Sequence, residues 1–541
     1  MPQLEIIPQG WIHIPTKKKY SLTLKSLDSR SSPCYFTFEI ISASLFRITF
    51  TSSEHPLPPY PSCTVPKSEV DNVEIEVLDI TEHSRKVFML GKSLVISICW
   101  QNTPEISISR KTGGVIAAPP LYSDLQFRSY AIDGPGVAHY TTYDPKKHHA
   151  GLGEKAAPFD LSGRTFRIAA TDSFGYNGHR TDPLYKHIPL LISAGPQGCV
   201  AQFSSSHSRS MVSVGGEMDG LWGNYKVYRQ DYGGLEEYLM VGHTLQDITQ
   251  TYAGLVGKPR LVPRWALGYI AGGMKYSMLD DPPAEDALMQ FAERMRKEDI
   301  PCSAFQLSSG YTVAETEPKT RNVFTWNKHR FPNPERFLNN FKKLGIRVIA
   351  NVKPYVLKNH PEYSSLESQD ALFRSPGAKE TAVTRLWSAG GGESGVGSHL
   401  DYTSQAAYQW WYRGVRELLK AGVAGVWNDN NEYTLPHDNW ECKLDRKDFH
   451  THHLGEEKSC DHSVGRWGRA IHTELMAKSS FEASVDECPN TRPYVLTRSA
   501  TAGTMRYAAS SWSGDNVTSW ASMKAGNAMS LNAGLSLLTV S

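Results

Sequence analysis

The chain has 541 residues, 40% hydrophobic and 21% charged, with 13 Trp, 25 Tyr and 19 Phe. At roughly 150 residues per domain this length corresponds to about three or four units, fewer if one is a large barrel, and the apolar content excludes wholesale disorder. Its 57 basic and 55 acidic side chains leave a formal charge of +2 without a long basic run, which argues against a nucleic-acid or membrane-surface partner and for a neutral one such as a sugar.

The N-terminus, Met1-Pro2-Gln3-Leu4-Glu5-Ile6-Ile7-Pro8, has no basic stretch leading into an apolar one, and no run of about 18 apolar residues occurs anywhere. A soluble, unexported, cytoplasmic chain is expected. Cys34, Cys63, Cys99, Cys199, Cys302, Cys442, Cys460 and Cys488 form no CxxC pair, so reduced thiols are expected in place of a metal ribbon or redox motif.

Up to about residue 258 the pattern is β. Tyr35-Phe36-Thr37-Phe38-Glu39-Ile40-Ile41 and Leu45-Phe46-Arg47-Ile48-Thr49-Phe50 are rich in β-branched and aromatic residues, and Val73-Glu74-Ile75-Glu76-Val77 alternates with period two. Clusters of Gly, Pro, Ser and Asn punctuate these runs, as in a β-sandwich.

The pattern changes after Gly257-Lys258-Pro259-Arg260. Trp265 to Ile270 reads as a buried strand. A helix over 283–298, opened by Pro283, places Ala287, Phe291 and Met295 on one face and leads into a strand from Ile300 to Leu307. The unit then repeats: Pro334 opens a helix with a Phe337, Phe341 and Leu344 stripe, Gly345 ends it, and a strand from Arg347 to Val352 follows. A helix over 404–421 precedes Val423 to Trp427, and another near 464–480 precedes Tyr494 to Thr497. Repeated βα units with apolar strands indicate a parallel sheet covered on both faces. Without a phosphate-cradling glycine fingerprint, a (β/α)8 barrel is favoured over a nucleotide fold. The stretch 357–400, with Gly390-Gly391-Gly392, reads as a loop-rich excursion between barrel strands, and 434–462 as polar and His-rich.

In such a barrel the C-terminal ends of the strands line the active face, so polar residues just after apolar strands are the first candidates. Asp429 follows Gly425-Val426-Trp427-Asn428, and Asp515 lies in Trp512-Ser513-Gly514-Asp515-Asn516. Two carboxylates on one rim suit glycosidic cleavage, one attacking or stabilising the anomeric carbon and one protonating the leaving oxygen. By spacing alone, two solvated turn aspartates fit equally well.

The segment Gly425-Val426-Trp427-Asn428-Asp429-Asn430-Asn431-Glu432 resembles the W-x-D-M-N-E nucleophile signature of glycoside hydrolase family 31. Arg498-Ser499 through Gly503, Arg506-Tyr507-Ala508 and Trp512-Ser513-Gly514-Asp515-Asn516 resemble its acid/base signature. Similar likenesses occur at Asp172-Ser173-Phe174-Gly175-Tyr176, at 182–189, at Pro263 to Tyr269 and at Phe324-Thr325-Trp326-Asn327 with Phe331-Pro332, covering roughly residue 30 to the end. The resemblance implies a retaining α-glycosidase without a cofactor or metal, acting on an oligosaccharide or α-glycoside. α-Glucosides come first; α-galactoside hydrolysis and transglycosylation are the enzymatic alternatives. It implies Asp429 as nucleophile, Asp515 as general acid and then base, Arg498 as the arginine contacting nucleophile and sugar, Trp427 and Trp512 as pocket aromatics, and Asp172 as a residue reaching over from the sandwich.

Three positions depart from the family pattern. Family α-glucosidases carry an Asp in a D-x-D-Y-M segment after the second barrel strand, whereas Leu307-Ser308-Ser309-Gly310-Tyr311-Thr312 has no carboxylate. Asn430 stands in place of Met, and one extra residue lies between Tyr507-Ala508 and Trp512. Cys442, His450, His452, His453, Cys460 and His462 fit no standard zinc spacing and read as a solvated loop. The sequon Asn516-Val517-Thr518 overlaps the acid motif and is discounted.

The segment from Ala533 to Val540 reads as a seventh barrel strand, with no eighth unit after it. The expected fold is therefore an N-terminal β-sandwich over 1–258 followed by an incomplete (β/α)8 barrel over 259–541. A catalytically impaired, truncated relative that binds carbohydrate or regulates is the non-enzymatic alternative.

Overall fold

The computed structural model describes residues 5–28, 30–58, 74–80, 84–377, 380–385, 394–446 and 462–539. Among them, everything before Leu245 that is regular is strand. An eight-stranded antiparallel sheet runs in the order Trp11–Ile14, Ser21–Ser26, Tyr35–Ile40, Leu45–Thr51, Leu235–Gly242, Gly198–Ser204, Leu190–Gly195 and His148–Gly151. Facing it are a five-stranded sheet built around Ser210–Asp219 and Gly223–Gln230, and a sheet built around Leu94–Cys99. The alternation in the sequence supplies the core: Leu22, Leu24, Phe36, Phe38, Phe46 and Ile48 point inwards with Phe88, Ile96 and Ile106.

Helix Leu245–Val256 ends this part. Thr244 caps it by accepting from the Asp247 amide, Asp247 caps the Thr244 amide in return, and Ile248, Tyr252 and Leu255 bury against the sandwich.

The remainder is a curled, all-parallel sheet of six strands with helices outside. In chain order these are β1 (Ile270–Gly272), α1 (Ala284–Lys297), β2 (Ala304–Leu307), α2 (Pro334–Lys343), β3 (Arg347–Val352), α3 (Gln405–Ala421), β4 (Gly425–Asn428), α4 (Ala470–Glu487), β5 (Val495–Thr497), β6 (Ser510–Ser511) and α5 (Trp520–Leu535). This is an N-terminal β-sandwich joined to an incomplete TIM-type barrel. The two parts share a sheet, because Lys186–His187 from the sandwich pairs in parallel with Ala500–Thr501 beyond β5. Among the described residues no helix is long and apolar enough to cross a membrane.

Two local expectations are corrected. Trp265 lies in a 3-10 turn, Arg264–Leu267, and the first strand starts only at Ile270. The bracketing Pro263 and Gly268 leave four residues, which close a turn. Residues 533–535 belong to α5. The next pairing comes later, where the Ser511 amide donates to Thr539 O at 2.8 Å. Within the 357–400 excursion, Tyr355–Leu357, Val396–His399 and Thr384–Arg385 form a small antiparallel sheet, while Gly390, Gly391 and Gly392 lie outside the described residues.

Candidate active site

Asp429 immediately follows β4 and is anchored by its own amide, which donates to Val352 O on β3 at 3.0 Å. Both carboxylate oxygens are occupied. Oδ1 accepts the Asn430 amide at 2.9 Å and lies 3.3 Å from Arg498 Nε; Oδ2 accepts Asn351 Nδ2 at 2.9 Å and Lys353 Nζ. Burial alone would raise the Asp429 pKa, but the charges of Lys353 and Arg498 and the bonds from Asn351 and Lys353 outweigh it and hold the carboxyl below the usual range.

Arg498 follows β5 and is almost fully buried. It makes a two-point contact with Glu432, Nε to Oε1 at 2.8 Å and Nη2 to Oε2 at 2.8 Å. Nη1 donates to Asp515 Oδ2 at 3.0 Å, and Nη2 lies 3.1 Å from Asp172 Oδ2. One guanidinium thus bridges four carboxylates, three from the barrel and one from the sandwich.

Asp515 follows β6 and is more open, with 41% of its side chain exposed. Burial and repulsion from Asp429 raise its pKa against the opposing pull of Arg498. The loop that carries it is tied down on the sandwich side. Gly175 donates to the Asp515 carbonyl at 2.7 Å, and the Asp515 amide donates to Tyr185 Oη at 3.3 Å. Gly514 has φ +81°, and a Cβ there would fall inside the Tyr185 ring.

The structure thus brings Asp429, Asp515, Arg498 and Asp172 together. Trp427 and Trp512 meet edge to face, centroids 5.1 Å apart, and pack with Ala304, Ile349, Tyr494 and Leu496 in the interior of the curled sheet.

Two of the departures are connected to this arrangement. Asn430 donates through Nδ2 to Asp172 Oδ2 at 3.1 Å and accepts Lys353 Nζ on Oδ1, which a thioether side chain could not reproduce. Lys353, Asn430, Asp172, Arg498 and Asp429 therefore close a ring of polar contacts. At Gly310 a side chain would meet Ser277 Oγ at 2.6 Å and Met278 Sδ at 2.8 Å, so this backbone has no room for a carboxylate there.

Sequence reasoning missed Lys353, Asn351 and Lys186. Lys186 comes from the sandwich; fully buried, its Nζ donates to Trp512 O at 2.8 Å and to Arg498 O, with Glu154 Oε2 3.5 Å away. It ties the arginine loop to the Asp515 loop. Lys353 and Asn351 lie at the C-terminal end of β3, where the strand-end rule that selected Asp429 also points. Cys442, expected in a solvated loop, is buried. His450, His452, His453 and Cys460 lie outside the described residues.

The Glycosyl hydrolases family 31 TIM-barrel domain matches residues 259–541, and the Glycosyl hydrolase 31 N-terminal galactose mutarotase-like domain matches residues 35–212. Among curated proteins, the chain is 26% identical over 402 residues to alpha-glucosidase 2 of Bacillus thermoamyloliquefaciens, covering 74% of this chain and 47% of that protein. It is 27% identical over 398 residues to an alpha-glucosidase of Saccharolobus solfataricus, covering 70% and 53%. The chain spans about half the length of these relatives. Among solved structures, a Flavobacterium johnsoniae GH31 dextranase complexed with isomaltotriose superposes with a TM-score of 0.79 at 19% identity, over 98% of this chain and 59% of the other. A GH31 alpha-xylosidase from a soil metagenome, complexed with xylose, gives 0.75 at 16% over 98% and 72%.

Proposed function

Because the chain belongs to glycoside hydrolase family 31, we propose that it is a retaining α-glycosidase in which Asp429 is the nucleophile and Asp515 the acid and then the base. The observation that carries this is the pair of opposed carboxylates on one guanidinium: Asp429 held ionised by Lys353 and Arg498, and Asp515 pushed towards its protonated form by burial and by Asp429.

In the first step Asp429 attacks the anomeric carbon of an α-linked sugar. The glycosidic C–O bond breaks, and its oxygen takes the Asp515 proton and leaves as an alcohol. As the nucleophile's negative charge is consumed in the glycosyl ester, repulsion on Asp515 falls. Asp515, now ionised, then takes a proton from the water that attacks the same carbon, and the ester breaks with return of the Asp429 carboxylate. The product keeps the α configuration. Trp427 and Trp512 floor the pocket, Arg498 fixes the two carboxylates relative to each other, and Asp172 contributes an acceptor at the sandwich side of the mouth.

α-Glucosides are the first substrates to try, since the alpha-glucosidases and the dextranase are among the similar proteins. The crowded Gly310 backbone removes one family contact to the far side of the ring, so α-galactosides and α-xylosides belong in the same panel. The test is hydrolysis of aryl α-glycosides by this chain, followed by nuclear magnetic resonance for the first-formed anomer. Retention with loss of turnover in Asp429→Ala is expected; initial release of the β-anomer, or normal turnover by that variant, would overturn the assignment.

A further inference from the structure

Away from the carboxylate site, three buried side chains with metal-binding chemistry converge from distant parts of the sequence. Asp401, Cys442 and His472 each offer a ligand atom, and the three atoms lie within 4.8 Å of one another. Asp401 precedes α3, Cys442 lies in the long connection after β4, and His472 is in the first turn of α4. All three are sealed from solvent.

Their convergence is built in. Asp401 Oδ1 accepts the Thr403 amide at 2.9 Å and the Thr403 hydroxyl at 2.6 Å, and Oδ2 accepts the Lys443 amide at 2.6 Å, which pins the residue after Cys442 to Asp401. His472 is held by the Phe373 edge, centroids 4.8 Å apart, and by the near-parallel Tyr433 ring at 4.9 Å.

The remaining gaps are poor hydrogen bonds. His472 Nδ1 is 3.7 Å from Asp401 Oδ1, beyond the usual N–H···O range, and Nδ1 has no hydrogen-bond partner although solvent does not reach it. His472 Nε2 is 3.8 Å from Cys442 Sγ. Zinc bonds of about 2.0–2.1 Å to nitrogen and oxygen and about 2.3 Å to sulfur place two ligand atoms of one ion up to about 4 Å apart. The two short gaps involve different ring nitrogens, so a turn of the imidazole and an inward shift of up to about 1 Å close the set on one ion. Thiolate, imidazole and one carboxylate are a borderline-soft donor set that suits zinc over magnesium or calcium, the two negative ligands neutralise the divalent charge, and one enclosed water would complete the tetrahedron that three protein ligands leave open.

We propose that Asp401, Cys442 and His472 bind a structural zinc ion that pins the connection after β4 to α4. Binding replaces the Cys442 S–H bond with a Zn–S bond and releases that proton to solvent. The adjacent Thr473 hydroxyl donates to Asn431 O at 2.6 Å, so the ion would brace the helix that holds the segment after Asp429.

The test uses the whole chain without a histidine tag, washed with a weak chelator to strip surface-bound metal. Elemental analysis is expected to find about one zinc per chain, falling to near zero in Cys442→Ser and in Asp401→Asn. Cobalt(II) loaded into the unmutated chain is expected to give a thiolate-to-metal charge-transfer band, absent in Cys442→Ser. Failure of the unmutated chain to retain zinc or to show the cobalt band would overturn the site, whether or not the variants fold. Equal zinc in folded variants and unmutated chain would also overturn it.

Discussion

Arg498 grips Glu432 through two parallel contacts, both 2.8 Å, with both side chains shut away from solvent. This pair aims the other guanidinium edge: with Nε and Nη2 fixed on Glu432, Nη1 can point only towards Asp515. Glu432→Gln keeps the volume but sets an NH2 donor against one arginine N–H, so one of the two contacts is lost and the fork is free to turn. A fall in kcat of about 100-fold is expected, the scale of a 1 Å misplacement of reacting groups, with KM changed far less. Steady-state kinetics on an aryl α-glycoside check this, and a change confined to KM would remove Glu432 from the positioning role.

In the proposed mechanism Lys353 sets the acid side of the pH profile. Asp429 must be ionised to attack, and Lys353 is first among the charges holding its pKa down against burial. In Lys353→Met that pull is lost, the Asp429 pKa rises, and the acid limb of the kcat/KM profile moves to higher pH. The alkaline limb belongs to Asp515, which must be protonated for the first step; its position is expected to move less, because Arg498 and Asp429 remain beside it. A profile that only scales down, with its acid limb unmoved, would refute the assignment.

Asn430→Met tests why the amide stands where family members carry Met. It leaves Lys353 without its second acceptor and Asp172 with one donor fewer, Arg498 and Tyr185 remaining. Loss of a hydrogen bond to a charged group corresponds to about a tenfold fall in kcat/KM. With Asp172 at the mouth, as proposed, a disaccharide should lose more than an aryl glycoside with the same non-reducing sugar. Equal losses on the two substrates would place the effect on Asp429 alone.

Gly514→Ala addresses the acid loop. The φ of +81° disfavours any other residue, and the new methyl would collide with Tyr185, whose hydroxyl receives the Asp515 amide. The loop must move and carry Asp515 with it. A substrate with a poor leaving group, which needs protonation, should lose about 100-fold, whereas a nitrophenyl glycoside should lose much less. Parallel losses would indicate general disruption of the pocket.

What was legible in the sequence follows from the range of each interaction. β2 to β5 are apolar runs, three of them set between helices, so local pattern located them. β6 is only Ser510–Ser511 and has just a 3-10 turn, Thr504–Arg506, and no α-helix between it and β5, so it carries no pattern to read. α5 is rich in Ala, Ser, Gly and Asn with apolar residues on all sides, and its end merges with Leu535 to Val540 into what looks like a strand. Asp429 and Asp515 were visible because strand-end position and motif coincide. Lys353 reads as an ordinary solvated lysine until its amine is seen buried against Asp429, and Lys186 acts on loops more than 300 residues away. Such contacts are set by how the sandwich docks on the barrel, which no local pattern records.

The sandwich core carries two buried cations whose pH effects oppose each other. His139 lies 3.0 Å from Asp124 Oδ1 and 3.1 Å from Glu237 Oε1; burial disfavours its charge, but the two acids prevail and raise its pKa to about 10. Lys226, whose Nζ donates to Gln202 Oε1 at 3.2 Å and Ser193 Oγ at 3.3 Å, is lowered to about 7 by burial, with Lys147 adding to the shift. A raised histidine stabilises the fold fully below its unfolded pKa of about 6.5, and that contribution fades as pH climbs to the folded value. A depressed lysine does the reverse: its penalty is full below the folded pKa and fades as pH rises towards the unfolded value of about 10.4. From about pH 7 to 10 the folded chain therefore holds one proton on His139 that the unfolded chain lacks, and lacks one on Lys226 that the unfolded chain holds, so these two contributions nearly cancel. Lys226→Met removes one side of that balance while leaving His139 with both acids. Its stability is expected to fall with rising pH at up to about 1.4 kcal/mol per unit relative to the unmutated chain. Urea unfolding of both proteins at pH 7, 8 and 9 measures the difference; parallel curves would show that Lys226 is charged in the folded core after all.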